Sequence, residues 1–382
     1  RIHVAVAMSF SPNIVSAQPL KLLFRPRKPC GLQSPAVLRH PRYPSPGVRR
    51  GRSTQRRTVT TSMATSGSPS GARVLSIQSH VVHGHVGNKS AVFPMQLLNI
   101  EVDFINSVQF SNHTGYKQWR GTVMTGEQLW ELVEGLEMNE LAGSYTHLLT
   151  GYIASESFLE TVMKVVEKLR FHNPDLIYVC DPVMGDDGQL YLPKELVPIY
   201  RDKLPKVATV LMPNAFEAEQ LTGISVNSIA TGLEACQHLH AQGTETVVLT
   251  SVEDAGNPGK LTVLASTTRE QEAGCPQRLT LEVPLLPVYF TGTGDLFSAL
   301  TLGWLHHHPD NLGLAIQKTV SGLQAVLKRT LEQAEKSKVE GVSSRHDPKR
   351  NPTTCRELEL KLVQSQDDIK SPSLDFDITP LP

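Results

Sequence analysis

The amino-acid sequence predicts an α/β domain built on a mostly parallel central β-sheet with helices on both faces. Short apolar runs rich in β-branched residues recur along the chain, and amphipathic helical patterns lie between several of them. Strands that alternate with helices form parallel sheets that are covered on both faces. Polar or glycine residues follow directly after the runs. In sheets of this class, ligands bind beyond the carboxyl ends of the strands, so these polar residues indicate where a site would form.

The predicted strands, in chain order, are residues 73–79, 102–108, 147–152, 176–180, 208–212 and 246–251. Residues 156–170 place their apolar side chains on one face at helical spacing, and residues 311 to about 340 continue as helix. Residues 358–365 are predicted to supply one late strand. Residues 371–382 are expected to form a loose C-terminal tail.

Composition limits the classes of partner. The 382-residue chain carries 37 Lys and Arg against 37 Asp and Glu, which offers no electrostatic case for nucleic acid or an anionic membrane. No apolar run approaches the roughly 20 residues that a membrane span needs. The five cysteines are scattered without a CxxC pair, which is typical of reduced thiols in an intracellular protein. We therefore expect a soluble protein that binds neither nucleic acid nor membrane.

The N-terminal 72 residues differ in texture from the rest. They are rich in Ser, Pro and Arg, and no Asp or Glu occurs before Glu101. This composition predicts a disordered extension. An acid-poor, Arg-rich N-terminus is typical of an organelle transit peptide, but a gene-model artefact with a true start at Met63 explains it equally well. We expect a cytosolic protein, with chloroplast or mitochondrion as the alternative.

The motif with the strongest chemical content is Gly292-Thr293-Gly294-Asp295, which is followed by an apolar helical pattern. Two glycines allow a tight turn and close approach of the backbone to a ligand. A helix N-terminus presents unpaired N–H groups that suit a phosphate or a developing oxyanion. A lone carboxylate at this point is most often a helix cap. The alternative is a catalytic base, and the polar residues at the other strand ends favour it.

Phosphoryl transfer requires a positioned carboxylate, cations near the phosphates and stabilisation of the transferring group. Asp295 is a candidate base for an alcohol, and the backbone from Gly292 to Gly294 a candidate anion hole. Residues 84–90 resemble a phosphate-binding P-loop, but Asn88 stands where that motif requires Gly directly before Lys. The chain is therefore not predicted to be a P-loop enzyme.

Magnesium would need carboxylates near the same edge. Asp181 and Asp186 follow a predicted strand, and a sparse set suits Mg²⁺, which keeps waters and substrate phosphates. Asp187 with Gly188 reads better as a turn. Asn214 and Glu217 stand three residues apart at a helix start, and taken alone they predict a capping box. The histidines near residue 80 have no carboxylate at metal-ligand spacing, so no transition metal is assigned.

Taken together and in order, these segments resemble the pyridoxal kinase family of the ribokinase-like superfamily. The resemblance runs from Arg73 to Ile369, so residues 73–370 would be the kinase domain. Its components lie at residues 76–80, 84–89, 106–116, 149–152, 179–186, 213–219, 290–296 and 363–369. The set is more specific than the Gly-Asp motif alone. The short stretch between Asp186 and Tyr191 resembles plant-type members.

The resemblance implies ATP-dependent phosphorylation of the 5′-hydroxyl of pyridoxal, pyridoxine or pyridoxamine, with Asp295 as the base. It also implies the other site residues: Ser79, Val86, Thr114, Tyr152 and Tyr191 for the vitamer; Asn214, Thr250, Ser251, Val288, Thr293 and Gly294 for ATP; and Asp186, Glu217, Asp181 and Thr250 for cations. The cations implied are Mg²⁺ or Zn²⁺ and a monovalent K⁺ or Na⁺. A homodimer is implied as well.

Three positions depart from the family pattern. Met212 stands where Thr often precedes the Pro-Asn pair, so a hydroxyl ligand for phosphate or a monovalent cation is lost there. His85 replaces a usual Tyr, and Pro287 replaces an Asp that is common in animal members. None of the three is Asp295, so we expect an active enzyme.

Two classes of rival function stay open on sequence grounds: another ribokinase-like kinase, and a relative without catalytic activity. Hydroxymethylpyrimidine kinases typically carry Cys at the position of Asp295, and sugar kinases of the superfamily lack the 106–116 block, so both fit less well. A relative that binds vitamers without catalysis is the rival from another class. The presence of Asp186, Glu217 and Asp295 argues against it.

Overall fold

The structure is a computed structural model that describes residues 71–153, 155–186, 188–253, 259–338 and 352–382. The expected N-terminal extension up to residue 70, the candidate start at Met63 and the side chain of Asp187 lie outside the described residues.

The strands carry the sheet predicted from the sequence, with additions at its edges. In chain order they are β1 (Arg73–Val81), β2 (Glu101–Phe110), β3 (Gly121–Val123), β4 (His147–Thr150), β5 (Ile177–Cys180), β6 (Gly185–Asp186), β7 (Gln189–Leu190), β8 (Val210–Leu211), β9 (Thr246–Val252), β10 (Lys260–Thr267), β11 (Arg278–Pro284) and β12 (Thr379–Pro380). The main sheet has the order β12-β11-β10-β9-β8-β5-β4-β1-β2-β3, and β6 pairs with β7 in a separate hairpin.

The central strands β2, β1, β4, β5, β8 and β9 pair in parallel, which confirms the predicted sheet type. They are the same strands that the sequence predicts. Antiparallel pairs extend the sheet at both edges, β3 on one side and β10, β11 and β12 on the other.

The helices are α1 (Asn88–Leu97), α2 (Gly126–Met138), α3 (Glu156–His172), α4 (Leu196–Val207), α5 (Ala215–Thr222), α6 (Ile229–Gln242), α7 (Thr293–His307), α8 (Leu312–Lys336), α9 (Pro352–Glu357) and α10 (Gln366–Lys370). Short 3-10 turns occur at Ala142–Ser144 and Val363–Ser365. Among the described residues, none of these helices has the length and apolar character that crossing a membrane requires.

Two separate apolar clusters cover the two faces of the sheet. Successive residues of a strand point to opposite faces. Accordingly, Leu149 and Val248 pack with α1, α7 and α8, whereas their neighbours Leu148 and Val247 pack with α2 to α6. Both faces are therefore buried, which explains why the parallel strands read as continuous apolar runs.

Two C-terminal expectations are wrong. Residues 358–365 form no strand: Leu360 and Leu362 are fully buried, and the Lys361 N–H donates to Thr330 Oγ1 on α8 at 3.1 Å. The segment packs against a helix, so its alternating apolar pattern does not mark a strand. Residues 371–382 are not a loose tail, because β12 pairs with β11 and Gln317 Nε2 donates to the Phe376 carbonyl at 2.7 Å.

Candidate active site

Asp295 does not cap its own helix. The helix α7 begins at Thr293 with Gly292 as its N-cap, and no side-chain capping bond is made there. Instead, Asp295 Oδ2 accepts a 2.7 Å hydrogen bond from the Gly87 N–H, which comes from the turn between β1 and α1. Burial raises the pKa of Asp295, and the Gly87 hydrogen bond offsets part of that rise. The geometry therefore favours the catalytic interpretation over the capping one.

The glycine turn lies directly against the turn that follows β1. A Cβ atom on Gly292 would lie 2.2 Å from the carbonyl oxygen of His85, and Gly292 has a φ of +85°. Only glycine tolerates both the left-handed backbone and this approach. The two turns therefore fix each other and hold Gly87 within reach of Asp295.

The candidate vitamer residues surround this junction. The side chain of Ser79 lies beside Gly87, since a Cβ on Gly87 would be 2.4 Å from Ser79 Oγ. Val86 is buried in the same turn. Thr114 precedes Gly115, where an added Cβ would lie 3.6 Å from Thr291 Oγ1 of the glycine turn. The loop that carries Thr114 is thus a neighbour of the motif that carries Asp295.

The two candidate vitamer tyrosines come from other elements. Tyr191 follows the β6-β7 hairpin, and its hydroxyl lies 3.2 Å from the hydroxyl of Tyr289, just before the glycine turn. Tyr152 follows β4, half-buried, and its carbonyl accepts a 3.2 Å hydrogen bond from Ser107 Oγ on β2. Burial raises the pKa of both phenols, so both remain neutral hydroxyls that can donate to a polar ligand.

Asp181 brings a second carboxylate to the N-terminus of α7. It follows β5, is buried, and its Oδ2 would lie 3.1 Å from a Cβ on Gly294. Burial, followed by the nearby charges of Glu217 and Asp295, raises the pKa of Asp181 well above its ordinary value. Like charges therefore converge at one buried point, which is an environment that a bound cation would stabilise.

Glu217 forms the capping box that the sequence predicts, and it also accepts hydrogen bonds from backbone N–H groups outside α5. Its Oε2 accepts from the Asn214 N–H at 3.0 Å, while its Oε1 accepts from the Met184 and Gly185 N–H groups at 2.9 and 3.4 Å. Burial raises the pKa of Glu217 to about 8 even though these hydrogen bonds lower it. The carboxylate fixes the backbone just before Asp186, which is itself half-buried in the β6-β7 hairpin.

The candidate nucleotide residues lie along the same edge of the sheet. Asn214 donates from Nδ2 to the Gly185 carbonyl at 2.8 Å, which ties the start of α5 to the hairpin. Thr250 and Ser251 end the parallel part of β9, and the Thr250 N–H donates to the Pro213 carbonyl at 3.0 Å. Val288 is buried, and Thr293 is the first residue of α7.

Met212, which departs from the family pattern, is buried in an apolar cluster. Its N–H donates to the Cys180 carbonyl at 3.0 Å, so the backbone of this position continues the strand geometry without a side-chain hydroxyl.

Sequence reasoning missed Glu359. This carboxylate lies beside the candidate vitamer loops, although 246 positions separate it from His113. The only available signal was one acidic residue between the apolar Leu358 and Leu360, and that pattern was interpreted as a strand.

The sheet and the site together define a class. A doubly covered parallel sheet, with a glycine turn that delivers a carboxylate to its carboxyl edge, is the arrangement of a ribokinase-like small-molecule kinase. A family model described as phosphomethylpyrimidine kinase matches residues 143–339.

Individual relatives are more specific. The chain is 51% identical over 304 residues to pyridoxal kinase from Arabidopsis thaliana, with 80% of this chain and 93% of the relative covered. It is 44% identical over 310 residues to the human pyridoxal kinase, with 79% and 96% covered. A solved pyridoxal kinase from Leishmania donovani, in complex with ADP and pyridoxamine, superimposes with a TM-score of 0.71 at 38% identity and covers 81% of this chain and 99% of its own. The chain belongs to the pyridoxal kinase family.

Proposed function

We propose that this protein transfers the γ-phosphoryl group of ATP to the 5′-hydroxyl of pyridoxal, and also of pyridoxine and pyridoxamine, in salvage of vitamin B6. The observation that carries this reaction is the placement of Asp295. A carboxylate is held by the Gly87 N–H at the start of a helix, between the candidate vitamer residue Ser79 and the candidate nucleotide edge. Family membership supplies the substrate class.

In this reaction Asp295 accepts the proton of the attacking 5′-hydroxyl as its oxygen bonds to the γ-phosphorus, while the bond from that phosphorus to the bridging oxygen breaks and ADP leaves. The first-turn N–H groups of α7 have no partner within the helix, and they face the position of the transferring phosphoryl group. Because the transition state is loose, proton removal is late, and positioning contributes more than the strength of the base. An aspartate is therefore an adequate base.

Mg²⁺ (or Zn²⁺) is the divalent cation that the resemblance implies for this site. No group of three or more His, Cys, Asp or Glu side chains in the described part of the chain is arranged to hold a metal ion, and a sparser set suits Mg²⁺, which keeps waters and substrate phosphates as ligands. Burial, and then the nearby charges of Glu217 and Asp295, raise the pKa of Asp181, and Asp186 lies in the adjacent β6-β7 hairpin. Asp186 and Asp181 would hold the divalent ion, with Glu217 beside it, and Asp181 with Thr250 would neighbour a monovalent K⁺ or Na⁺. A divalent ion bound here neutralises charge on the ATP phosphates.

The activity is tested with a coupled assay of ADP release, in which each of the three vitamers and hydroxymethylpyrimidine are offered in turn. We expect turnover with the vitamers and little with hydroxymethylpyrimidine. A preference for hydroxymethylpyrimidine would favour the rival kinase. Binding of pyridoxal without consumption of ATP would show a catalytically idle relative.

Removal of residues 1–62 is expected to leave kcat/KM unchanged, because no candidate site residue precedes Ser79. The measurement compares the full chain with a variant that begins at Met63. A strong loss of activity would mean that the N-terminal extension takes part in the site.

Two further properties are proposed on the resemblance alone. We propose a homodimer, which light scattering on the purified chain tests directly. We also propose a cytosolic location, with chloroplast or mitochondrion as the alternative. Imaging of fusions that begin at Arg1 and at Met63 distinguishes these locations.

A further inference from the structure

Glu359 lies outside the residues so far assigned to the reaction, yet it contacts two of the loops that carry candidate vitamer residues. The first loop, residues 82–87, contains Val86. The second, residues 111–116, contains Thr114. We propose that Glu359 is a positioning residue that joins these two loops and thereby sets the affinity of the site for the vitamer. The inference rests on the function proposed above and deepens it.

The contact with the first loop is made through the backbone. Glu359 Oε2 accepts a 2.9 Å hydrogen bond from the N–H of His85, the residue directly before Val86. Gly84 lies against the same carboxylate, since a Cβ on Gly84 would be 2.2 Å from Glu359 Oε1. Because Gly84 has no side chain, the backbone of the first loop can lie directly against the Glu359 carboxylate.

The contact with the second loop is made through side chains. Glu359 Oε1 lies 3.2 Å from His113 Nε2 and accepts a 3.1 Å hydrogen bond from the Tyr116 hydroxyl. His113 Nδ1 accepts a 3.1 Å hydrogen bond from the Gly115 N–H, so the ring proton lies on Nε2 and is donated to Glu359. Thr114 is thus held between two residues, His113 and Gly115, whose positions depend on one carboxylate.

Glu359 is itself firmly placed. It is 7% exposed, on a segment whose neighbours Leu358 and Leu360 are buried. Burial raises the pKa of Glu359, but the hydrogen bond from His113, and then those from His85 and Tyr116, lower it below its ordinary value. A buried acceptor with three donors is costly to remove and holds its partners in one arrangement. Backbone hydrogen bonds from the Val82 and His83 N–H groups to the Phe110 and Ser111 carbonyls already join the two loops at their strand ends. Glu359 joins them a second time, beside Val86 and Thr114.

The decisive experiment replaces Glu359 by glutamine and measures kcat, the KM for ATP, the KM for pyridoxal and the Kd for pyridoxal without nucleotide. Glutamine has the same shape, but its NH₂ group replaces one of the two acceptor oxygens. At least one of the N–H and O–H groups that donate to Glu359 would then face another donor and lose its hydrogen bond. We expect the KM and Kd for pyridoxal to rise about tenfold, a loss typical of an interrupted positioning contact. The kcat and the KM for ATP should change little.

Tyr116→Phe provides a second variant that removes a single hydrogen bond to Oε1. It should raise the KM for pyridoxal in the same direction, by a smaller factor. Asp368→Asn is the matched control, because Asp368 pairs with Arg329 on α8 and, in the described part of the chain, no hydrogen bond or ion pair joins its side chain to either loop. This control should retain the KM values of the unaltered protein.

The results distinguish a failure of the proposed function from a failure of the positioning role of Glu359. An unaltered protein that does not phosphorylate vitamers would refute the proposed function. An active protein whose Glu359→Gln and Tyr116→Phe variants keep the KM and Kd for pyridoxal would refute the positioning role. An equal rise in the KM for both substrates, or the same change in Asp368→Asn, would also refute it, because the effect would then be a general loosening of the fold.

Discussion

Replacement of Asp295 by asparagine is expected to lower kcat by about 10²–10⁴-fold, the usual contribution of general base catalysis. Asparagine keeps an oxygen that can accept the 2.7 Å hydrogen bond from the Gly87 N–H, so the junction of the two turns should persist. It cannot take the proton of the 5′-hydroxyl. The Kd for a non-hydrolysable ATP analogue, measured by calorimetry, should therefore stay nearly unchanged.

The pH dependence provides an independent check on this role. Burial raises the pKa of Asp295, so the carboxylate holds its proton at a higher pH than an ordinary Asp, whose pKa is about 4. The base is present only above that raised pKa, and kcat should fall as the pH is lowered through it. The residual activity of Asp295→Asn should lack this acid limb.

Asp175→Asn serves as the control for a lost aspartate charge, because Asp175 is exposed and lies before β5, at the opposite edge of the sheet. It should change neither kcat nor the pH profile. If Asp295→Asn weakened ATP binding as much as it lowered kcat, Asp295 would have to be a ligand of the nucleotide or metal.

The sequence predicted the parallel strands because strands buried on both faces are continuous apolar runs. It did not predict β10 and β11, which are antiparallel and lie toward one edge. Their signal is different: Leu279, Leu281 and Val283 alternate with polar residues. This alternation with a period of two indicates an antiparallel strand. The same alternation at Leu358, Leu360 and Leu362 belongs to no strand. Alternation alone does not distinguish a sheet edge from a segment packed on a helix.

The candidate site likewise has features that the sequence could predict and contacts that it could not. Residues that follow parallel strands could be placed together from sequence, because the carboxyl ends of those strands share one edge. Asn214 and Glu217 could be interpreted locally, and the capping box is present. The bond from Gly87 to Asp295 and the bonds to Glu359 could not be predicted, because the first joins residues 208 positions apart and the others join residues 243 to 274 positions apart. These segments come into contact only because α1, α7 and the residues around Leu360 pack together on one face of the sheet.

Replacement of Gly292 by alanine should damage both stability and catalysis. The added Cβ would lie 2.2 Å from the His85 carbonyl oxygen, and backbone atoms at that distance must move. The φ of +85° adds about 1–2 kcal/mol of strain for a residue with a side chain. Movement of His85 would displace Val86 and the first-turn N–H groups of α7 together. Because a misplacement of about 1 Å can cost ~10²-fold in rate, we expect kcat/KM to fall by at least that factor.

Gly274→Ala is the control for Gly292→Ala, because it has the backbone strain without the overlap between the added Cβ and neighbouring atoms. Gly274 has nearly the same φ, +89°, but a Cβ there meets no atom within 4 Å. The free energy of unfolding of Gly274→Ala, measured in urea, should therefore fall only by the strain energy, and its kcat/KM should stay unchanged. The difference between the two variants measures how much of the site depends on close contact between the glycine turn and the turn after β1. If Gly292→Ala behaved like Gly274→Ala in both measurements, the two turns would not fix each other, and the placement of Gly87 against Asp295 would need another cause.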